Sequence, residues 1–270
     1  MGQKTNSIIF NLKINNSNSK YNEKNKEESS LLLYKTLQTQ DYINTTLLFY
    51  NIFTHSCKIE YTDSKINILI LFFKLTSKTK QKKLNKTTKQ LLSFIITNVL
   101  VIGLNMYFKQ QTIEIKTKNL NEQFNTHILK KKEYLFEYKK VIRLFKKFLK
   151  NIIYKDLIKI LFITVYEKKS AKLLADTISF YLRKHKKKHY YLFFILKKTL
   201  NSLINLKFSK IKGIKITVSG RLNGVPRSKS KTLQIGILPL QSFTSNIDYY
   251  NSTSYTSNGT FGVKVWICEI

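Results

Sequence analysis

Six of the chain's eight glycines and both of its prolines fall in its last stretch, Gly213 to Ile270. Residues that interrupt helices and shape turns, gathered at one end, confine that end to short strands joined by fixed loops. The strands show as period-two alternation. Ile214, Ile216 and Val218 alternate with Lys215, Thr217 and Ser219, and Val263, Val265 and Ile267 alternate with Lys264, Trp266 and Cys268. Each segment therefore buries one face and exposes the other. Thr232 to Leu238 and a segment near Ser245 to Tyr250 read as two further strands. A sheet of this kind needs cover on one side, and two helices upstream supply it. One presents Leu174, Ile178, Tyr181 and Leu182 on a single face, and the next presents Leu192, Ile195, Leu196, Thr199, Leu200 and Leu203. The hydroxyl of Ser170 is placed to cap the first of them. The expected fold class is α+β, a mostly antiparallel sheet backed by two helices.

Charge narrows the partners. The 270 residues hold 48 Lys and Arg against 15 Asp and Glu, a formal net charge of +33. A compact domain tolerates that much self-repulsion best when a polyanion neutralises it, so RNA, DNA or an anionic membrane is implied. Only four of the basic residues are arginine, Arg143, Arg183, Arg221 and Arg227, and the only alanines are Ala171 and Ala175. Lys, Asn, Ile, Phe and Tyr have replaced residues with GC-rich codons, as in a gene kept in an AT-rich organelle genome. Arginines that persist against that drift mark places where the bidentate guanidinium fork is hard to exchange for a lysine point charge. Arg221 and Arg227 stand in SGRLNGVPRSKSKT with Lys229 and Lys231, where Gly220, Gly224 and Pro226 imply a tightly shaped loop. A fixed loop presenting arginines suits structured RNA.

Upstream, residues 1–30 are polar and read as a basic extended arm, carrying Lys4 and Lys13, that a partner orders. Leu31 to Phe53 reads as a helix. Cys57 to Tyr61 and Ile66 to Phe73 read as a hairpin turning at Thr62, Asp63 and Ser64. Gln90 to Phe108 is uncharged and long enough to raise a membrane span, but Ser93, Thr97, Asn98, Gly103 and Asn105 fit a helix packed in an assembly better. Leu135, Tyr138, Ile142, Phe145, Leu149 and Ile152 form one seam of a basic amphipathic helix, with Lys139, Lys140, Arg143, Lys146, Lys147 and Lys150 mostly off it.

Catalytic signatures are absent. His185 and His189 have the spacing of a zinc helix, but HKKKH lacks the general-base glutamate and sets three lysines against a cation. There is no phosphate-binding loop, nucleophile elbow or paired-carboxylate pattern. Cys57 and Cys268 are too few for a zinc site or a disulfide framework. No enzyme activity, cofactor, metal or small-molecule substrate is expected.

The closing sequence GIKITVSGRLNGVPRSKSKTLQIGILPLQSFTSNIDYYNSTSYTSNGTFGVKVWI closely resembles the carboxy-terminal domain of the universal ribosomal protein S-three family of the small subunit. MGQKTN at Met1 to Asn6 resembles the way members of that family begin, and FITVYEKKSAKLLADTI from Phe162 looks like its passage into the second domain. With no presequence before MGQK, a mitochondrial site of action implies synthesis in the organelle. The resemblance implies three parts: the arm at 1–30, a degenerate type II KH-like domain at 31–166 with a lysine-rich helical insertion at about 117–156, and an S-three-like domain at 167–270. Ile158 to Tyr166 is expected to close the KH-like sheet, with Ile113 to Lys116 as the competing segment. A KH loop needs GXXG to bring backbone amides close to a nucleotide. Leu75 to Lys86 has no glycine, so Lys78, Lys80, Lys82 and Lys83 would meet phosphate without a clamp.

The same resemblance implies that Arg183, Lys184, Lys186, Lys187 and Lys188 line the path by which mRNA enters the small subunit. Lys4, Lys13, Arg221, Arg227, Lys229 and Lys231 are expected on rRNA or mRNA. It further implies a structural role in the head of a mitochondrial ribosome on the matrix side, with S-ten and S-fourteen as neighbours there and S-five and S-four across the channel mouth. The rival readings are an organellar RNA-processing factor such as an intron maturase, which would need carboxylate motifs the chain lacks, and a polybasic membrane-associated protein. The charge alone makes a test. If roughly 10 phosphates are neutralised, log affinity for single-stranded RNA falls with log salt at a slope of about −7, and the free chain is partly disordered at low salt. Filter binding and circular dichroism across a salt series check both.

Overall fold

The computed structural model describes residues 6, 8, 19–21, 28–62, 64–75, 98–108, 111–128, 132–146, 152–166, 170–185, 189–204 and 209–270. They fall into two compact units, one of residues 16–123 and one that includes 124–270. The division lies at 123/124 and not at the 166/167 expected from the sequence. Most of the arm, Lys4 and Lys13 included, and all of Leu75 to Lys86 beyond Leu75 lie outside the described residues, as do Lys186, Lys187 and Lys188.

In the first unit four strands lie in the order β1 (Ser19–Tyr21), β2 (Ile52–Tyr61), β3 (Lys65–Lys74) and β4 (Thr112–Asn119). The β2–β3 hairpin is antiparallel and β4 joins β3 in parallel. Thr62 closes the hairpin turn, its N–H donating to the Lys65 carbonyl at 2.9 Å. Within the expected arm, Ser19–Tyr21 is a strand paired with β2. Helix α1 (Glu28–Phe49) buries Thr36, Thr39, Ile43 and Leu47, one stripe at spacings of three, four and four. Two threonines on a buried stripe are tolerable because each hydroxyl donates to its own helix, Thr36 to the Leu33 carbonyl at 2.7 Å and Thr39 to the Thr36 carbonyl at 2.9 Å. Helix α2, residues 98–107, contributes Leu100 and Leu104 to the same core as Ile43, Ile59, Ile66, Ile68 and Ile70. It carries Gly103 against α1, where a Cβ would stand 2.0 Å from the Tyr42 hydroxyl. Among the described residues no helix is long and apolar enough to cross a membrane.

The strand that closes this sheet is therefore the segment containing Ile113 to Lys116. Ile158 to Tyr166 is helical, part of α5 (Ile152–Tyr166) in the second unit. The cause of the misreading is burial on every side. Leu157, Ile158, Ile160, Leu161, Phe162, Ile163 and Val165 are all at most 1% exposed, so no polar face remains to reveal a helical period. Before α5 come a short turn of helix, α3 (Leu120–Gln123), and α4 (Lys132–Leu144). The α4 seam is aromatic: Tyr134 packs on Tyr166 at 4.7 Å and Tyr138 on Phe162 at 5.2 Å between ring centroids. Tyr138 and Phe145 sit as expected, but Val141 is the buried residue between them and the helix ends at Leu144, short of Ile152.

Helices α6 (Ala171–Lys184) and α7 (His189–Ile204) cover a four-stranded antiparallel sheet. Its order is β6 (Lys229–Gly236), β5 (Ile211–Gly220), β8 (Gly259–Glu269), β7 (Ile247–Thr256). Every apolar residue expected on the two helix faces is buried, and Ile214, Ile216, Val218, Val263, Val265 and Ile267 are each 0% exposed. On the far face the register aligns Gln234, Lys215, Trp266 and Tyr249 across all four strands. Helix α6 is fastened to β7 by polar contacts: the Ala171 N–H donates to the Asp248 carboxylate and the Ser254 hydroxyl to the Ser179 carbonyl, both at 2.8 Å. Asp176, between them, is held up at a pKa of about 6 by burial, against a hydrogen bond from Ser252 and the charge of Lys172. Ser170 caps α6, its Oγ accepting from the Leu173 N–H at 3.1 Å. Removing that cap in Ser170→Ala should cost about 1 kcal/mol, while Thr253→Ala, at an exposed position of β7, should cost almost nothing. Paired thermal melts of the two variants decide it.

Candidate nucleic-acid interface

The last turn of α6 carries Arg183 and Lys184, cations where the helix dipole is negative. Both are exposed, and the Lys184 ammonium lies 4.3 Å from the centroid of the Phe180 ring. His185 ends the helix, its N–H donating to the Tyr181 carbonyl at 3.0 Å, and its ring stacks on Tyr154 at 5.9 Å. His189 opens the next helix. The HKKKH histidines thus belong to two different helices, and among the described residues no three His, Cys, Asp or Glu side chains gather to hold a metal.

His189 ties this junction to the glycine-rich loop. Its N–H donates to Asn223 Oδ1 at 3.1 Å, and the Asn223 N–H donates back to His189 Nδ1 at 3.0 Å. Asn223 has φ 58° and Gly224 φ 79°, left-handed conformations that asparagine and glycine tolerate. Just before the loop Gly220 is obligatory: at its φ of 147° a Cβ would stand 2.4 Å from the Phe261 ring. Arg221 spends its Nε on the loop, donating to the Val225 carbonyl at 3.1 Å. Its role is in part to fix the shape from which Arg227, Lys229 and Lys231 project, all exposed. Lys231 reaches back over α7, 5.3 Å from the Tyr190 ring centroid and 4.5 Å from that of Phe193, so the loop, the start of β6 and the start of α7 form one basic and aromatic rim.

The structure therefore brings Lys231 and the Arg221 loop onto the helix that the Arg183–Lys188 stretch leads into. Among the described residues Arg183, Arg221, Arg227, Lys229 and Lys231 have no carboxylate partner within 4.0 Å, which leaves them available to an external anion. Lys197 and Lys198, exposed on the outer side of α7, belong to the same basic surface. Sequence reading passed over them, since two lysines within an otherwise apolar helix give no cluster signal. Their flanking Ile195, Leu196, Thr199 and Leu200, all buried, mark them as the outward pair.

The site is thus a basic and aromatic rim on an α+β scaffold. Residues 195–267 match the family profile described as "Ribosomal protein S3, C-terminal domain". The small ribosomal subunit protein uS3c of Euglena longa is 27% identical over 80% of this chain and 77% of its own length. The uS3 protein of Neorickettsia sennetsu is 34% identical over 36% of this chain and 44% of its own, and the uS3c protein of Tetradesmus obliquus 45% over 27% and 10%. In the last two cases the chain spans under half, and only a tenth, of the relative. Over residues 195–267 the chain is similar to the C-terminal domain of the ribosomal protein S3 family. The profile takes in α7 from Ile195, the Arg221 loop and the sheet up to Ile267, whereas Arg183 to Lys188 precede it.

His189 sets a pH limit on the rim. Because Nδ1 accepts from Asn223, the ring holds its proton on Nε2 and is neutral. Burial lowers its pKa below the ordinary 6.5, while the backbone of His185 and Leu182 pulls the other way. The unfolded histidine takes a proton at higher pH than the folded one. The lock is consequently fully present above about pH 6.5 and lost as pH falls below it. Following the Asn223 amide by NMR should show it unmoved above neutrality and shifting on acidification. His189→Phe, which strands that amide, should cost about 1–3 kcal/mol and abolish the shift.

Proposed function

We propose that the protein is a structural constituent of the small subunit of a mitochondrial ribosome, encoded in the organelle and without enzyme activity, holding rRNA in the head and lining the path by which mRNA enters. The observation that carries this is the family match over residues 195–267, which takes in the Arg221 loop and the start of β6. A net charge of +33 and four arginines among 48 basic residues support an RNA partner and an AT-rich organelle gene. Arg183, Lys184, Lys186, Lys187 and Lys188 act on the moving message, where sequence-blind phosphate contacts suit a path that every mRNA must pass. Arg221, Arg227, Lys229 and Lys231, with Lys4 and Lys13 of the arm, act on rRNA, because a loop of fixed geometry favours fixed contacts. The neighbours are S-ten and S-fourteen in the head, with S-five and S-four across the channel mouth.

The first unit is a degenerate type II KH domain. Its order of helix, two antiparallel strands, helix and a closing parallel strand supports that reading, and the lack of glycine from Leu75 to Lys86 makes it a spacer more than a clamp. Detergent-solubilised mitochondria, washed in high salt and sedimented, should yield the protein with the small subunit; recovery in a light RNA-processing particle would overturn the assignment. Within the ribosome, combined change of Arg183, Lys184, Lys186, Lys187 and Lys188 to alanine should slow translation of a hairpin-bearing message and spare assembly. Arg221→Ala should reduce incorporation of the protein itself. Subunit profiles and reporter translation in one mutant series separate the two roles, and failed assembly with normal translation in the combined mutant reverses them.

A further inference from the structure

The helix-covered face of the C-terminal sheet makes the core; the opposite face is a surface no role has yet been given. The Gln234, Lys215, Trp266 and Tyr249 row crosses it, and the next row carries Thr217, Lys264 and Asn251 in register. Trp266 and Tyr249 pack with ring centroids 5.1 Å apart, and the Lys215 ammonium lies 5.6 Å from the centroid of the Trp266 ring. Both rings are part-exposed, and Lys264 and Asn251 are exposed. The two rows contain no carboxylate and no aliphatic side chain. A protein partner would find little apolar area to bury there. Nucleotide bases would find π-faces to stack on, amide and hydroxyl groups for their edges, and two lysines on adjacent strands whose backbone positions are offset by about 7 Å along the strand direction for phosphates.

We propose that this face is a second RNA site, a platform on which unpaired nucleotides stack against Trp266 and Tyr249 while Lys215 and Lys264 hold the backbone. It rests on the RNA-binding reading above, but it sits on the side of the sheet away from α6 and α7 and uses none of the rim residues. Each of these side chains alternates along its strand with core residues such as Val265, which is 0% exposed. Changes on the platform leave the core untouched.

Trp266 is the chain's single tryptophan, so its fluorescence reports this face and no other. The full-length protein is titrated with an oligouridylate of about ten nucleotides and, separately, with inorganic polyphosphate of equal charge, while anisotropy of end-labelled RNA follows binding anywhere on the chain. Oligouridylate should quench Trp266 and polyphosphate should not. Tyr249→Ala should weaken the quenching interaction roughly ten-fold, and Lys264→Ala should weaken it more at low salt than at high, each with an unchanged circular dichroism spectrum. RNA that binds by anisotropy without quenching, or polyphosphate that quenches equally, overturns the platform and leaves the ribosomal reading standing. Tryptophan emission that responds only to added small-subunit proteins gives the face to a protein and also overturns it. Failure to bind RNA at all, at low salt, overturns both.

Discussion

The burial of one sheet face beneath α6 and α7 is the constraint on which the basic surface depends. Strands β5 and β8 form the middle of that sheet, and their inward residues are wholly excluded from water. At about 25 cal/mol per Å² of apolar area, burial of this kind is the main favourable term available to a chain so heavily charged. The helices cannot tilt or slide without exposing it. Their ends, the His189 junction among them, are therefore fixed in position, and so is the loop that His189 holds through Asn223. Arginine contacts to RNA need that kind of rigidity; a lysine tail does not.

Electrostatics works against the same core. Three acidic residues are spent on structure: Asp248 receives the first N–H of α6, Asp176 is half-buried beside Ser252 of β7, and Asp156 is 1% exposed beside Lys159 at 3.7 Å. Few carboxylates remain to neutralise the rim. The chain thus separates its two needs, keeping negative charge at internal joints and leaving positive charge outside for a polyanion to balance.

Much of the C-terminal domain was legible in the sequence because one-sided burial writes a period into the chain. The α6 and α7 faces, the Ser170 cap and the alternating strands β5 and β8 all follow from that. Helix α5 was not legible for the opposite reason: burial on every side erases the period, and a β-branched apolar run such as Ile163 to Val165 reads as strand. The competing segment Ile113 to Lys116 proved to be the strand, an edge strand that alternates strictly but whose inward positions are only part-buried. At the candidate interface the glycines and Pro226 gave away the shaped loop, but the reciprocal bond between His189 and Asn223 joins residues 34 positions apart. No local pattern announces such a pair. The Trp266 and Tyr249 contact was hidden in the same way, since each residue alone looks like an ordinary outward position of a strand.

The two edges of the sheet are unlike. Edge strand β6 carries Lys229 and Lys231, the charged side chains that discourage a further strand from adding. Strand β7, Ile247–Thr256, has no lysine, arginine or proline, and among the described strands it pairs only with β8. Its other side is an open sheet edge, the kind to which a further strand can add. What keeps free copies apart is then their mutual repulsion, which acts over about 10 Å at 0.1 M salt and over only about 3 Å at 1 M. Screening that eases self-repulsion within one molecule also eases repulsion between two, so salt favours the folding of a single chain and exposes this open edge to its neighbours at the same time.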